Sequence, residues 1–181
     1  MIGDRRILRF LRGKQNNVDE ASKQYAGFLK WRKMNNIDKI RHDILYNGMN
    51  SPFLFPHGKK IIDFVPQIVI TANANDKMGR PMSLEMYNFS PSKLFQEVKM
   101  DEYLLFLTYC LEYRALVMEQ LSHNIENQYL STSKEISDGY GVVVMNCFIR
   151  DLKGVGMAHL GGEGRSLIKA AVNLGTSNFF Y

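Results

Sequence analysis

Two cysteines, four histidines, five prolines and one tryptophan are spread over 181 residues, and each scarcity excludes something. Cys110 and Cys147 stand far apart with no C-x-x-C spacing, so neither a disulfide framework nor a zinc site is expected, and two reduced, buried thiols are. His42, His57, His123 and His159 lie in unrelated contexts and form no H-E-x-x-H or other metal spacing. The serines include no G-x-S-x-G elbow. No apolar run approaches the ~20 residues of a membrane span; the longest, 103–111 and 141–149, are interrupted by Thr108 and Asn146. The charged N-terminus has no apolar stretch behind it, so no signal peptide is read there. A cytoplasmic location is the expectation. No internal repeat or low-complexity segment occurs.

Hydrophobic residues make up 45% of the chain, enough for a packed core at the size of one domain. The net charge of +5 conceals an asymmetry: residues 1–60 hold thirteen Lys/Arg against five Asp/Glu, whereas 61–181 hold ten against thirteen. The basic front can approach an anionic membrane. Aromatic residues do not alternate with basic ones on one face, so nucleic acid is not expected as a partner.

Helical spacing is read first at Ile7, Leu8 and Leu11. It resumes after Asn17, which with Glu20 suggests a capping box, through Val18, Ala21, Tyr25, Phe28 and Leu29. A short helix is expected over 38–46 and another over 59–65. Two extended runs, 67–72 and 81–87, flank a turn-rich segment and predict a β-hairpin. Ser90-Pro91 opens a helix. Asp101 is read as capping a longer one, to about residue 127, whose centre is apolar almost all round and should be buried on more than one side. A polar loop over 127–138 follows. The run 141–149 predicts a central parallel strand covered on both faces, and 164–178 a closing helix. A parallel sheet requires a further strand after that helix.

The glycines invite two cofactor readings, and both fail. Gly154-Val-Gly156 would require a third glycine where His159 stands, and Gly161-Gly-Glu-Gly-Arg-Ser lacks the lysine of a phosphate loop. Glu112 and Glu119, with Arg114 nearby, read as a structural ion-pair cluster in preference to an acid–base pair. No enzyme activity is expected.

Three stretches then change the weighing. Ile7-Leu-Arg-Phe-Leu-Arg-Gly-Lys14, with Val18-Asp-Glu-Ala21 and Lys30-Trp-Arg-Lys33 after it, resembles the helical front of the CRAL-TRIO family. Asp76-Lys-Met-Gly-Arg-Pro81 is similar to that family's D-x-x-G-R-P hairpin turn. Asp151-Leu-Lys-Gly-Val-Gly-Met-Ala-His-Leu160 is similar to its segment after the first buried strand. The resemblance covers the whole chain but only the front two-thirds of the family domain.

It implies an α/β fold: an N-terminal helical segment (1–46), then the front part of the lipid-binding domain (47–181), an incomplete mixed or parallel β-sheet flanked by helices. The C-terminal strands and gate helix would be missing, and the exposed sheet edge would favour a dimer. It implies binding and transfer of a hydrophobic lipid, phosphatidylinositol-like or other, between membranes, with no cofactor beyond the bound lipid. Transient contact with an anionic membrane surface would accompany it. Lys14 and Asn146 are the implied headgroup residues; Phe106, Tyr109, Tyr113, Val144 and Phe148 are the implied pocket lining. Asn146 and Phe148 match positions that carry small hydroxyl residues in phosphatidylcholine-binding members. Phe148 cannot donate a hydrogen bond, which argues against that lipid. A membrane-docking or protein-interaction module without lipid transfer is the alternative.

Overall fold

In the computed structural model, residues 4–65, 67–68, 75–77, 80–131 and 145–178 are described. Three helices come first: α1 (Asp4–Gly13), α2 (Val18–Met34) and α3 (Ile37–Tyr46). The break after Gly13 has a backbone cause, because Gln15 and Asn16 adopt φ of 51° and 65° and turn the chain. Asn36 does the same between α2 and α3 at φ 51°, a conformation asparagine tolerates better than most residues. The Asn17 side chain accepts from the Glu20 N–H at 3.1 Å, the N-cap half of the expected box. Phe10, at 2% exposure, sits with its ring 5.3 Å from Tyr25 and 5.1 Å from Phe28 and fixes α1 on α2.

A 3₁₀ turn (Pro52–Leu54) leads into α4 (Gly58–Phe64). These pack so closely that a Cβ on Gly58 would strike the Pro52 carbonyl. Strands β1 (Gln67–Ile68) and β2 (Met82–Met86) pair antiparallel, as the hairpin reading expects. The D-x-x-G-R-P turn is clasped by its own first and fifth residues. The Arg80 N–H donates to Asp76 Oδ1 at 2.8 Å, and Arg80 Nε to Oδ2 at 2.6 Å.

Next come α5 (Pro91–Glu97), capped by the Ser90 hydroxyl, and α6 (Met100–Ser131). Asp101 is not the cap of α6. The helix starts one residue earlier, and the Glu102 carboxylate accepts from the Lys99 N–H at 2.9 Å, leaving Asp101 in the first turn. The helix also continues through Ser131, beyond the expected end, since residues 127–131 include neither Gly nor Pro to stop it. Its burial on several sides is as the sequence implies: Phe106, Cys110, Glu112 and Met118 are each at 0% exposure.

Strand β3 (Cys147–Asp151) lies parallel to β2, Met82 opposite Cys147 and Met86 opposite Asp151. The parallel pairing is as expected; the central position is not. The described sheet has the order β1-β2-β3, which puts β3 at an edge, and Ile149 is 49% exposed. The expected strand's residues 141–144, Val144 included, lie outside the described residues, as does most of the polar loop read over 127–138.

After β3, Gly154 takes φ 87° in a turn where a side chain would crowd Asn88. A short helix α7 (Met157–Leu160), absent from the sequence reading, then precedes α8 (Gly162–Asn178). The core joins α3, α4, α5 and α6 through residues such as Ile37, Ile61, Leu94 and Phe106, and Leu167 brings α8 to it.

Candidate functional site

Alternation along β2 and β3 sorts their side chains onto two faces. Ser83 and Glu85 share one face with their register partners Phe148 and Arg150, and Asn146, two residues before Phe148, joins them. Asn146 Nδ2 donates to Ser83 Oγ at 3.0 Å. Glu85 is buried and held twice: Arg114 Nη2 donates to Oε1 and Arg150 Nε to Oε2, each at 3.0 Å. The Tyr87 hydroxyl donates to the same carboxylate at 3.4 Å, and burial, with the Glu85 charge beside it, pushes the Tyr87 phenol up.

Both guanidiniums also approach the Phe148 ring, at 4.9 Å for Arg114 and 5.3 Å for Arg150, within cation–π range. Two buried polar atoms of this group have no hydrogen-bond partner among the described residues: Arg114 Nε, a donor, and Asn146 Oδ1, an acceptor. The opposite face of the strand pair is apolar up to its end, with Met82, Leu84 and Met86 half-buried opposite Cys147, Ile149 and the exposed Asp151.

The residues expected at a lipid site are thus distributed unevenly. Asn146 and Phe148 come together on this face. Tyr113, half-buried on α6, packs its ring edge-on against Phe55 at 6.0 Å. Phe106 and Tyr109 also contact Phe55, at 6.3 and 5.3 Å, but are buried in the core. Lys14 follows the end of α1, where its N–H bonds the Phe10 carbonyl at 3.1 Å. Among the described residues, no hydrogen bond or ion pair joins it to the strand face. Glu85 and Arg150 escaped the sequence reading, and Arg114 was read with Glu112 and Glu119, although a glutamate at an inward position of a strand is itself a signal of a buried partner.

The second charged cluster is structural, as expected, with different partners. Glu112, at 0% exposure, accepts from Arg32 Nη1 at 3.1 and 3.2 Å and from Arg41 Nη1 at 3.2 Å, with Arg6 at 3.9 Å. Arg41 also reaches Glu119 at 2.6 Å, and Arg32 bonds Asp38. Arg114 turns away to Glu85. This cluster ties α1, α2 and α3 to α6. Asp43 adds another tie. It accepts from Lys39 and Asn47, each at 2.8 Å, and from the Tyr109 hydroxyl at 3.2 Å.

These contacts set an acid dependence. The hydrogen bond from Arg32 holds Asp38 below the usual carboxylate range, and that from Lys39, followed by that from Asn47, does so for Asp43. A folded-state pKa below the unfolded value, about 3.9, gives stability that is complete above the unfolded pKa and lost as pH falls through the folded one. Stability is therefore expected to hold from neutral pH to about 5 and to decline below about 4. Urea melts at stepped pH check this; Asp43→Asn should flatten the decline.

A cleft of about 660 Å³ opens elsewhere, between the α2–α3 corner, the first turns of α6 and the second half of α8. None of the expected site residues lines it.

The basic helical front, the D-x-x-G-R-P hairpin and a parallel strand leading into a glycine turn make this a mixed α/β fold compatible with a Sec14-like one. Comparison with curated proteins specifies it further. The chain is 26% identical over 160 residues to the Sec14 cytosolic factor of Schizosaccharomyces pombe, an overlap of 88% of this chain and 47% of that protein. To the SEC14 cytosolic factor of Eremothecium gossypii it is 25% identical over 183 residues, 98% of this chain and 50% of that protein. To the phosphatidylinositol/phosphatidylcholine transfer protein SFH13 of Arabidopsis thaliana it is 29% identical over 99 residues, 54% of this chain and 14% of that protein. No family model matches it. The chain is related to the Sec14 proteins, in keeping with its resemblance to the CRAL-TRIO family. It spans about half the length of the Sec14 cytosolic factors it matches.

Proposed function

We propose that this chain binds a phospholipid or another hydrophobic lipid, phosphatidylinositol-like in the first instance, and carries it between membranes without chemical turnover. The observation that supports this most is the match to the Sec14 factors over nearly the whole chain, together with the transfer-protein name of the Arabidopsis relative. In this reading Tyr113 and Phe148, half-buried, give their remaining surface to the lipid; Val144, outside the described residues, is a further lining residue of the proposal. Phe106 and Tyr109 form the wall behind. Asn146 offers its amide oxygen to a headgroup hydroxyl, Arg114 offers its Nε–H to a phosphate or ester oxygen, and Lys14 supplies positive charge to a phosphate. Each acyl CH₂ removed from water contributes ~0.8 kcal/mol, so affinity requires no covalent chemistry. The protein works in the cytoplasm and touches anionic membranes transiently through its basic helices.

Extraction of labelled phosphatidylinositol from donor vesicles into acceptor vesicles tests this. Saturable transfer that falls at least tenfold in Phe148→Asp is expected. Vesicle binding without extraction would overturn it in favour of a membrane-docking module. The exposed Leu152, Met157 and Leu160, at 62%, 83% and 61%, would suit such a module.

A further inference from the structure

We propose that the cleft at the α2–α3 corner is a second ligand site, for a small amphiphile with an apolar body and a cationic head. Its volume of about 660 Å³ falls within the ~300–1,000 Å³ of small-molecule sites. Trp31, Ile37 and Ile40 form one wall, Leu104 and Leu105 of α6 the floor, and Leu174 of α8 the far side. These α6 residues lie on a different face of the helix from Tyr113, so the site is independent of the lipid site argued above.

The described polar lining is Asn35, Asp101, Thr108 and Asn173; the two amides can donate or accept, and Asp101 alone carries charge. Thr108 spends its hydroxyl proton on the Leu104 carbonyl at 2.7 Å. Asn35 donates one amide N–H to the Trp31 carbonyl at 2.9 Å, and its side-chain oxygen remains an acceptor. Asp101, exposed in the first turn of α6, accepts from the Glu102 N–H at 3.0 Å through one oxygen and keeps the other. Among the described residues no Lys, Arg or His lines the cleft, although basic residues outnumber acidic ones by 23 to 18 in the chain. The one charged side chain of this described lining is the Asp101 carboxylate. Such a lining favours an ammonium and repels an anion, while the apolar walls reward an alkyl or ring body.

Trp31 is the chain's one tryptophan, so its fluorescence reports the cleft directly. The experiment titrates the full chain with octylamine, octanol and octanoate at pH 7 and fixed ionic strength. Octylamine should produce a saturable change with an affinity at least tenfold above that of octanoate, with octanol between them. Asp101→Asn should bring the three together, and Leu105→Arg, at a position 39% exposed, should abolish the octylamine signal with the circular dichroism unchanged. If Leu105→Arg does not fold, the Asp101→Asn comparison decides. Equal affinities for the three probes in the parent chain would overturn the cationic head, and the lack of any saturable change would overturn the site.

Discussion

Replacing Glu112 with glutamine is predicted to cost about 3–5 kcal/mol of folding stability, the usual consequence of removing one partner from a buried ion pair. Glu112 is fully buried and receives Arg32 and Arg41 directly. Glutamine keeps the volume but removes the charge, leaving the Arg32 guanidinium, at 2% exposure, with only the exposed Asp38 as counter-charge. The cluster is also the tie between α6 and the first three helices. The loss should therefore concentrate there, with hydrogen exchange accelerated in α1–α3 ahead of the β2–β3 pair. Urea unfolding gives the magnitude. A change below about 1 kcal/mol, the range of surface ion pairs, would show that the cluster is solvated and not buried.

Phe106→Ala should be comparably severe, about 3–5 kcal/mol, and it separates two readings of one residue. The ring is at 0% exposure, with Phe55 6.3 Å away, and a Cβ on Gly58 would lie 3.3 Å from it. Its neighbours meet across α4, α6 and the 3₁₀ turn, so they cannot collapse freely into the cavity. A residue lining an open lipid pocket would behave otherwise: truncation would enlarge the pocket, shift chain-length preference and cost little stability. Thermal melts paired with lipid chain-length profiles distinguish the outcomes. Stability loss with an unchanged profile is expected for Phe106, and the reverse for Phe148.

What was legible in the sequence was local. Asn17, Ser90-Pro91 and D-x-x-G-R-P act through neighbours within five residues, and each does in the structure what its chemistry dictates. The extended run 81–87 placed β2, and the apolar run ending at Ile149 placed a strand parallel to it. The partners of the buried charges were not legible, because Arg32 and Glu112 are 80 positions apart and Glu85 and Arg114 are 29 apart. Nothing in local pattern says which arginine reaches which carboxylate. The 660 Å³ cleft was hidden for the same reason: its walls come from helices far apart in the chain. The edge position of β3 escaped the pattern too, since an apolar run specifies a strand's composition and not its neighbours.

Two separate observations support the proposal of lipid binding. The matches cover 88–98% of this chain in the Sec14 cytosolic factors. Independently, the strand face presents an unsatisfied donor on Arg114 and an unsatisfied acceptor on Asn146 beside a half-buried aromatic, an arrangement suited to the polar end of an amphiphile.

Native mass spectrometry of the chain purified from cells is the direct test of lipid binding. A one-to-one lipid adduct is expected, with occupancy that falls in Phe148→Asp and persists in Asp101→Asn. Folded chain carrying no lipid, before and after incubation with phosphatidylinositol vesicles, would contradict it.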